Sequence, residues 1–564
     1  MKTFIIPVLF CLFYLCLIIP AVNSHLTYDE LFWPISAQSL LKIGKPLFLF
    51  GESADWSPSL YLNLQAFFYK VLGIANYSAR LIGVGCAVLQ LFLFLLVGKI
   101  LFKNSREQKI FLFIASVLFT TNPGVIQGSL LPYDDTTLLP LFFLIFSLIF
   151  IRFEEKRERI SIIGLGIIFS LALWSKLTTP FFFIICMLIY YMLKRDFRGL
   201  LDTFWVYIIG AGIFLFTWKW YCITTGTEFW GPIKYCIFAL LTKNSFNVYE
   251  FSILKFSLVI LRFTLWFGFY FILLWFFVFF KRLNDFRIRR FIEPIDFLIF
   301  FAILVGIGYF FVGGVTFGFP KYHYPILTAM SIASAFILKD FLIGSTKKDF
   351  WIYSIISVLS ALYYYFAVGD LLYIINFSLR NTQVFSPKAV KVTLLYFGYK
   401  FILYLLPLII VSFIIGVYKK TERLSGKIAV ILVVLIISTN LSLDAIQCNA
   451  GYLVRYCYGD RGTQELINYL NENTKSGDRI LATPDIIYYL KDKNIPYLPM
   501  HIGHALDSTI KIIKQPSVKF VVYSIGHNDI KQFREVFANL GFISEVKANF
   551  IVSQIGSYTI YKRK

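Results

Sequence analysis

Long apolar runs alternate with short charged segments along most of the chain. The first apolar run covers residues 4–22 and the last covers residues 427–445, and similar runs recur between them. A helix needs about 20 apolar residues to cross the hydrocarbon core of a bilayer. The pattern therefore predicts an all-α polytopic membrane protein with about 13 transmembrane helices.

The first run also has features of a secretory signal peptide. Lys2 precedes it, and small and polar residues follow it at 21–24. A signal peptide would be removed from the mature protein. We favour a retained first span, because acidic residues follow within a few positions and need an anchor at the membrane surface.

The charge of the loops alternates in step with the apolar runs. One set of loops is strongly basic, which predicts a cytoplasmic position by the positive-inside rule. The other set is poor in charge, and we expect it on the outside. The basic loops centre on residues 103–109, 152–159, 194–198, 281–290, 339–348 and 419–427, and the outer loops are 23–79, 122–137, the region around 176, 223–254, 314–323 and 369–395.

The composition changes at about residue 447, where the apolar runs shorten and strand and helix patterns alternate. This predicts a transmembrane domain over 1–446 and a small extracytoplasmic α/β domain over 447–564. The odd number of spans places this second domain outside the cytoplasm. Its predicted elements are helices over 463–473, 486–491 and 529–540 and strands over 478–482 and 518–524.

The overall composition agrees with a membrane location. The absence of the corresponding motifs argues against a nucleic-acid-binding site and a nucleotide-binding site. Of the 564 residues, 58% are hydrophobic and 15% are charged, whereas soluble proteins have about 25% charged residues. The net charge is +22, but the basic residues lie in short loops and form no nucleic-acid motif. The chain contains no Walker loop and no GxGxxG nucleotide motif. The expected surroundings are membrane lipids, with no nucleic acid.

The eight cysteines include no CxxC pair and no zinc-type spacing. Four of them lie on the predicted outer side, and the sequence leaves open a disulfide among these four. They are Cys222, Cys236, Cys448 and Cys457.

Two acidic pairs lie on the predicted outer side, each close to the end of a span. Asp29-Glu30 follows the first span, and Asp134-Asp135 lies in the second outer loop. A carboxylate at mid-bilayer costs about 2.5–3.5 kcal/mol, so we expect both pairs at the mouths of the spans. There they can serve acid–base chemistry or bind a cation, and Asp29 is the leading candidate for a base. Amphipathic helices over 30–41 and 58–72 are predicted to lie along the interface nearby.

Basic residues are scarce on the same side, which makes each one informative. Arg80 opens the second span, Lys176 lies between two spans, and Lys321 precedes Tyr322, His323 and Tyr324. An anionic leaving group such as a lipid phosphate needs cations near the carboxylates. We therefore predict Arg80, Lys176, Lys321 and Tyr324 as a phosphate-binding set. Each cation alone also fits snorkelling to lipid headgroups.

These residues resemble motifs of the membrane glycosyltransferases that include the protein O-mannosyltransferases and the aminoarabinose transferases, which share the GT-C fold. The order and the common side of the motifs carry the resemblance. In chain order they are Tyr28-Asp29-Glu30, Ser57-Pro58-Ser59-Leu60-Tyr61, Leu72-Gly73, Ser78-Ala79-Arg80-Leu81, Val97-Gly98-Lys99, Asp134-Asp135, Leu173-Trp174-Ser175-Lys176 and Lys321-Tyr322-His323-Tyr324-Pro325, followed by Glu465-Leu466, Tyr469-Leu470 and Gly477-Asp478 in the α/β tail.

The resemblance implies transfer of a sugar from a polyprenyl-phosphate donor to a protein, lipid or glycan acceptor outside the cytoplasm. Asp29 would act as general base and the anomeric carbon would invert. Two positions depart from the family pattern: Ser57 stands where relatives commonly have a basic residue, and Ser59 stands where they have a second proline. The departures leave open how the donor phosphate is held. A divalent cation on the carboxylates, with Asp29, Asp134, Asp135 and His323 as candidate ligands, is one alternative.

Three other functions compete with this interpretation. A metal-dependent GT-C transferase of another family would use the carboxylates as metal ligands. A transporter or lipid flippase would carry charges at mid-span and internal repeats, and neither is evident here. A scaffold with an extracellular binding domain would not depend on Asp29.

Overall fold

The computed structural model describes most of the helical part of the chain and the sheet of the tail. The predictions for His25, Asp29, Glu30, Ser57, Cys448 and Cys457, for the outer loop 369–394 and for most of the helix over 529–540 lie outside the described residues, as do residues 487 and 491 of the predicted helix 486–491 and the side chain of Lys321. The described residues are 3–24, 26, 31–47, 58–242, 267–289, 292–311, 321–343, 347–368, 395, 402–403, 406–407, 409, 424–447, 462–475, 478–482, 486, 488–490, 511–524, 538–556 and 558–564.

Helices make up most of the described structure. They are α1 (Ile5–Val22), α2 (Phe32–Ile43), α3 (Leu60–Leu72), α4 (Asn76–Leu101), α5 (Ser105–Thr120), α6 (Pro123–Leu130), α7 (Leu138–Lys156), α8 (Arg159–Ser175), α9 (Phe181–Lys194), α10 (Phe197–Thr225), α11 (Gly231–Thr242), α12 (Phe269–Arg289), α13 (Asp296–Phe311), α14 (Pro325–Leu342), α15 (Lys347–Val368), α16 (Leu424–Gln447), α17 (Thr463–Asn473) and α18 (Leu540–Asn549).

Within the described residues, three helices are long and apolar enough to cross a membrane alone, namely α1, α4 and α10. Helices α5 and α6 together form a fourth candidate that bends by 62° at the break between them. Five further apolar helices are shorter. The structure is thus a largely helical membrane protein, and the number of 13 spans stays a prediction.

The bend between α5 and α6 has a local cause. Pro123 is the first residue of α6, and the side chain of Asn122 caps the helix by accepting a hydrogen bond from the Gly124 N–H. Proline lacks the N–H that would continue α5, and it restricts the residue before it to an extended conformation. Helix α6 therefore starts in a new direction and ends close to the candidate site.

Small residues let α8 and α10 approach each other closely. A Cβ atom at Gly166 would lie 2.7 Å from the Ile209 side chain, and one at Gly210 would lie 2.7 Å from the Gly166 carbonyl oxygen. Glycines at such positions allow helix backbones to pack tightly in membranes. Further along the same pair, the Trp174 indole N–H donates to the Thr217 hydroxyl over 2.8 Å. These contacts fix the end of α8 that carries Ser175 and Lys176.

The two helices predicted in the first outer loop are present as α2 and α3. Gly44 follows the last residue of α2, and Gly73 follows the last residue of α3. Both glycines have positive φ angles, which suits a residue without a Cβ atom. Ser59 caps the start of α3 by accepting a hydrogen bond from the Leu62 N–H. Serine is among the preferred residues at this position.

The tail contains a four-stranded sheet with the order β1-β2-β4-β3. Strands β1 and β2 pair in parallel, and the other neighbours are antiparallel. Apolar clusters that include residues of α17 and α18 cover its strands. Helix 463–473 and strand 518–524 occur as predicted, and β3 and β4 are additional elements. The strands are β1 (Arg479–Leu481), β2 (Val518–Ser524), β3 (Phe550–Ile555) and β4 (Tyr558–Arg563).

Candidate functional site

Helices α7 and α8 show that the acidic residues and Lys176 share one end of the helical bundle. Helix α7 begins just after Asp134 and Asp135, and its last turn contains Glu154. Its 19 residues span about 28 Å. Helix α8 returns from Arg159 and ends next to Lys176. We call the end with Asp134, Asp135 and Lys176 the acid end. The opposite end, with Glu154 and Arg159, is the basic end.

Asp134 is buried against the start of α3. Its Oδ2 accepts a 2.6 Å hydrogen bond from the Ser59 hydroxyl, and its Oδ1 accepts a 3.1 Å bond from the Tyr61 N–H. A carboxyl group here accepts from an amide donor at a helix N-terminus, which has no partner within the helix. Asp134 thus holds α3 onto the bundle.

The protonation of Asp134 is perturbed by its surroundings. Burial raises the pKa of its carboxyl group to about 8, although hydrogen bonds from Ser59, Tyr61 and Ser175 act in the opposite direction. The nearby Asp135 carboxyl raises this pKa further. Perturbed acids of this kind are enriched at functional sites.

Asp135 is paired with a lysine that lies on aromatic rings. The Lys176 Nζ is 2.6 Å from the Asp135 Oδ1 and 3.5 Å from the centroid of the Tyr322 ring. The Tyr309 ring lies 5.2 Å from the same nitrogen. Cation–π contacts and the ion pair together restrict the lysine head group. Lys176 also follows the C-terminus of α8, where the helix dipole favours a cation.

The turn 321–323 packs against the turn 134–136, which brings two separately predicted motifs together. His323 in this turn is fully buried, and burial lowers the pKa of its imidazole to about 4. The imidazole is therefore neutral at physiological pH.

Tyr324 lies between the turn 321–323 and α6. Its ring occupies the space above Gly128, where a Cβ atom would lie 1.7 Å from a ring carbon. Together with Gln90, Ser129, Thr136 and other residues, Tyr324 lines a small cavity inside the bundle. Tyr324 is thus buried next to the turn 134–136, which we call the acid turn. Its predicted contact with a donor phosphate stays a prediction.

Arg80 connects two chain segments at the acid end. The side chain is only 2% exposed, and its guanidinium donates to the carbonyl oxygens of Val22 and Ser24 and to that of Leu130. It thereby joins the end of α1 to the end of α6. The stretch before Asp29 and the stretch before Asp134 are held together in this way, whereas the proposed phosphate contact of Arg80 stays a prediction.

The described residues offer little support for a preformed metal site. Among the residues that the structure describes, no three His, Cys, Asp or Glu side chains gather closely enough to hold a metal ion. The Oδ atoms of Asp134 accept from Ser59 and Tyr61, and Asp135 pairs with Lys176. A cation would have to displace these donors. Cys222 and Cys236, both described, are not joined by a disulfide.

Several contacts of the site were not predicted from the sequence, although most of the residues that make them lie in the motifs that carry the resemblance. Ser59, the Tyr61 N–H and Ser175 interact with Asp134, and the rings of Tyr309 and Tyr322 contact Lys176. Ser59 carries a recognisable signal, because a serine before an amphipathic run marks a helix N-cap. The aromatic partners of Lys176 come from distant parts of the chain, so no local pattern identifies them.

No family model matches the chain, and no curated protein matches it in sequence. Solved structures do match it. The crystal structure of ArnT from Cupriavidus metallidurans bound to undecaprenyl phosphate has a TM-score of 0.63 at 13% identity, with 98% of this chain and 97% of that chain covered. The apo structure of the same protein has a TM-score of 0.60 at 13% identity and the same coverage. An oligosaccharyltransferase from Archaeoglobus fulgidus is less similar, with a TM-score of 0.48 at 12% identity, and 74% of that chain is covered.

The match with ArnT extends over nearly the whole of both chains and includes the tail. The resemblance predicted from the sequence motifs is therefore confirmed at the level of the fold. The chain shares the fold of ArnT.

Proposed function

We propose that this protein is a membrane glycosyltransferase that transfers a sugar from a polyprenyl-phosphate donor to an acceptor outside the cytoplasm. The observation that carries the proposal is the acid turn with its lysine. Asp134 and Asp135 are buried beside Lys176 at one end of a bundle with the fold of ArnT. A pair of acids beside a restrained cation suits a reaction that moves a proton and releases an anion.

The lipid donor is supported by the chemistry of this end of the bundle. ArnT from Cupriavidus metallidurans was crystallised with undecaprenyl phosphate, and we transfer this ligand class to the present chain as part of the proposal. Because the pKa of Asp134 is raised to about 8, its carboxyl group is mostly neutral at pH 7. Asp135 and Lys176 then balance each other in charge, so the turn does not repel a phosphate. Lys176 keeps further N–H donors for such a group.

In the proposed reaction, Asp29 accepts the proton of the acceptor hydroxyl. The acceptor oxygen forms a bond to the anomeric carbon of the sugar with inversion, and the bond between that carbon and the phosphate oxygen breaks. The electron pair leaves with the polyprenyl phosphate, whose charge Lys176 stabilises, with Arg80, Lys321 and Tyr324 as further candidates. Asp134 holds α3 in place through Ser59 and Tyr61. Glu30 and Asp135 are the remaining candidate acids.

The proposed location is the plasma membrane, with the acid end and the tail on the outer side. The basic loops at the other end of the bundle favour this orientation. Tyr488 and Tyr489 of the tail contact residues of the first outer loop, so the tail lies at the same end as α3. A lipid-linked substrate has its phosphate at the interface, where a site at the mouth of the spans can reach it.

The test is sugar transfer by membranes that contain the protein. Labelled polyprenyl-phosphate sugars are added, and release of label from the carrier is followed for the wild type and for Asp29→Asn. Asparagine keeps the size of the side chain but cannot accept the proton, so we expect release to fall at least about 100-fold.

The matched control is Glu228→Gln, which also neutralises an acid of the predicted outer side. Glu228 pairs with Lys234, and both side chains are largely exposed, so we expect release within about twofold of the wild type. Equal release by wild type and Asp29→Asn would place the base elsewhere, with Asp134 or Asp135 next in order. No release by the wild type with any sugar tested contradicts the donor class.

A further inference from the structure

Two adjacent tyrosines of the tail contact the segment that precedes the candidate base. Tyr489 accepts a 3.1 Å hydrogen bond from the Leu26 N–H and donates a 2.8 Å bond to the Asn76 side chain. Leu26 is three residues before Asp29, and Asn76 is the first residue of α4. The hydroxyl group of Tyr489 thus connects the tail to both ends of the first outer loop.

Tyr488 contacts the far end of α3. Its hydroxyl lies 2.9 Å from the Tyr69 hydroxyl, which in turn accepts a 2.7 Å bond from the Gln65 side chain. The Tyr488 hydroxyl also donates to the Ala75 carbonyl oxygen over 3.4 Å. The side chain is only 2% exposed, so these polar groups have exchanged water for one another.

An apolar cluster surrounds these hydrogen bonds. Leu26 and Leu31, which flank residues 27–30 in the sequence, are buried in the same cluster as Tyr488. Ala66 and Tyr69 of α3 belong to it as well. Leu26 and Leu31 therefore share one apolar cluster with a residue of the tail.

Helix α3 is consequently held at two places by two different parts of the chain. Asp134 receives hydrogen bonds at its N-terminal end, and Tyr488 contacts Tyr69 near its C-terminal end. The helix has 13 residues, which correspond to about 20 Å. A rigid rod fixed at both ends has little freedom to shift relative to the acid turn.

We infer that Tyr488 and Tyr489 form a clamp through which the tail positions residues 26–31 and α3 for the reaction at the acid end. These tyrosines are positioning residues, because their contacts are with the protein chain. The catalytic part of the inference rests on the proposed function, whereas the ordering of the two segments does not.

A purely structural alternative is that the tyrosines only dock the tail. Docking alone predicts that loss of the hydroxyls lowers the thermal stability of the whole protein and changes no step of the reaction. The clamp predicts local loosening of 26–47 and 60–72 and a slower turnover, with the donor KM little changed because Lys176 belongs to the bundle.

The experiment compares the full-length wild type with Tyr488→Phe, Tyr489→Phe and the double variant in detergent or nanodiscs. Amide hydrogen exchange is measured for peptides covering 26–47, 60–72 and 518–524, and kcat and donor KM are measured with the labelled polyprenyl-phosphate sugar. Tyr561→Phe is the matched control, because the Tyr561 ring packs on Phe542 within the tail.

We expect Tyr489→Phe to accelerate exchange in 26–47 about three- to tenfold, which corresponds to the loss of one or two hydrogen bonds. Tyr488→Phe should act in the same way on 60–72, and exchange in 518–524 should not change. We expect kcat to fall three- to tenfold in each variant and further in the double variant, with the donor KM within about twofold. Tyr561→Phe should behave like the wild type.

Unchanged exchange in 26–47 and 60–72 overturns the clamp. Faster local exchange with an unchanged kcat overturns the positioning role. If the wild type transfers no sugar, the proposed function fails, and the exchange data alone then decide whether the clamp exists.

Discussion

The acid end and the basic end of the bundle use buried carboxylates in different ways. At the basic end, the buried side chain of Glu154 forms ion pairs with Arg157 and Lys194 and accepts hydrogen bonds from the hydroxyls of Tyr190 and Tyr191. At the acid end, two buried acids adjoin each other, and among the residues that the structure describes their ion-pair partner is Lys176.

A second carboxylate at the basic end is also held by a cation. Asp296 accepts two hydrogen bonds from Arg282, of 2.9 and 2.8 Å. Bidentate arrangements of this kind are geometrically rigid. The comparison teaches that the basic end uses its charges to join helices, whereas the acid end keeps an acid with a raised pKa and a cation beside it.

The largest expected difference between the two ends is the effect of removing a lysine. We expect Lys176→Met to raise the donor KM about 10- to 100-fold, because a charge-assisted hydrogen bond to the phosphate would be lost. Lys194→Met removes the same charge at the basic end and should leave the donor KM within about twofold. Steady-state kinetics on purified protein measure both. Equal effects of the two substitutions would contradict the assignment of the phosphate to the acid end.

A smaller effect is expected for the serine that joins α3 to the acid turn. Ser59→Ala removes the hydroxyl that donates to Asp134 and caps α3. The loss of an N-cap and of a buried hydrogen bond weakens the attachment of α3 to Asp134 by about 1–2 kcal/mol. If the reaction needs α3 in this position, the same free energy is lost from the reactive arrangement, so we expect kcat to fall about 5- to 30-fold.

Ser147→Ala is the matched control for Ser59→Ala. Ser147 is also buried but bonds only to the Phe143 carbonyl oxygen within α7 among the described contacts, and its substitution should change kcat by less than twofold. A response of Ser147→Ala as large as that of Ser59→Ala would mean that the serine acts through packing alone.

A further expected effect is on the pH dependence of stability. The pKa of Asp134 is raised in the folded protein to about 8, whereas an unfolded aspartate has a pKa of about 3.9. The folded state therefore binds more protons between about pH 4 and pH 8, and the free energy of unfolding contributed by this group falls as the pH rises through that window.

Asp134→Asn removes the group that titrates. We expect the melting temperature of the variant, relative to the wild type, to increase steadily from pH 5 to pH 8 and to level off above pH 9. Thermal unfolding in detergent at each pH measures the difference, in which the titration of all other groups cancels. A difference that does not vary with pH would show that Asp134 titrates normally.

The membrane character, the helices of the first outer loop and part of the tail were predictable from local patterns. The amphipathic period of α3 and the capping signal at Ser59 lie within a few residues, and so does the strand pattern of Val518–Ser524. The last element predicted within the α/β domain ends at residue 540, and β3 and β4, which pair through a turn at Gly556, lie beyond that point.

The site was predictable in its residue types but only partly in its contacts. Two adjacent acids at the end of a span indicate Asp134 and Asp135, the scarcity of cations on the predicted outer side indicates Lys176, and Lys176 does pair with Asp135. Arg80 was selected on the same ground, yet its guanidinium binds backbone carbonyls of two segments. A residue type alone cannot distinguish these uses, because both need a cation at the end of a span.

The sequence by itself determined the membrane character of the chain, which loops are basic and which residue types can carry charge. These properties depend on composition and short-range periodicity, which the bilayer selects directly. Only the tertiary structure decided that Ser59 and Tyr61 hold Asp134, that Tyr322 lies on Lys176, and that the tail reaches the chain before Asp29 through Tyr489. Contacts between residues hundreds of positions apart depend on how the helices pack, and no local pattern encodes them.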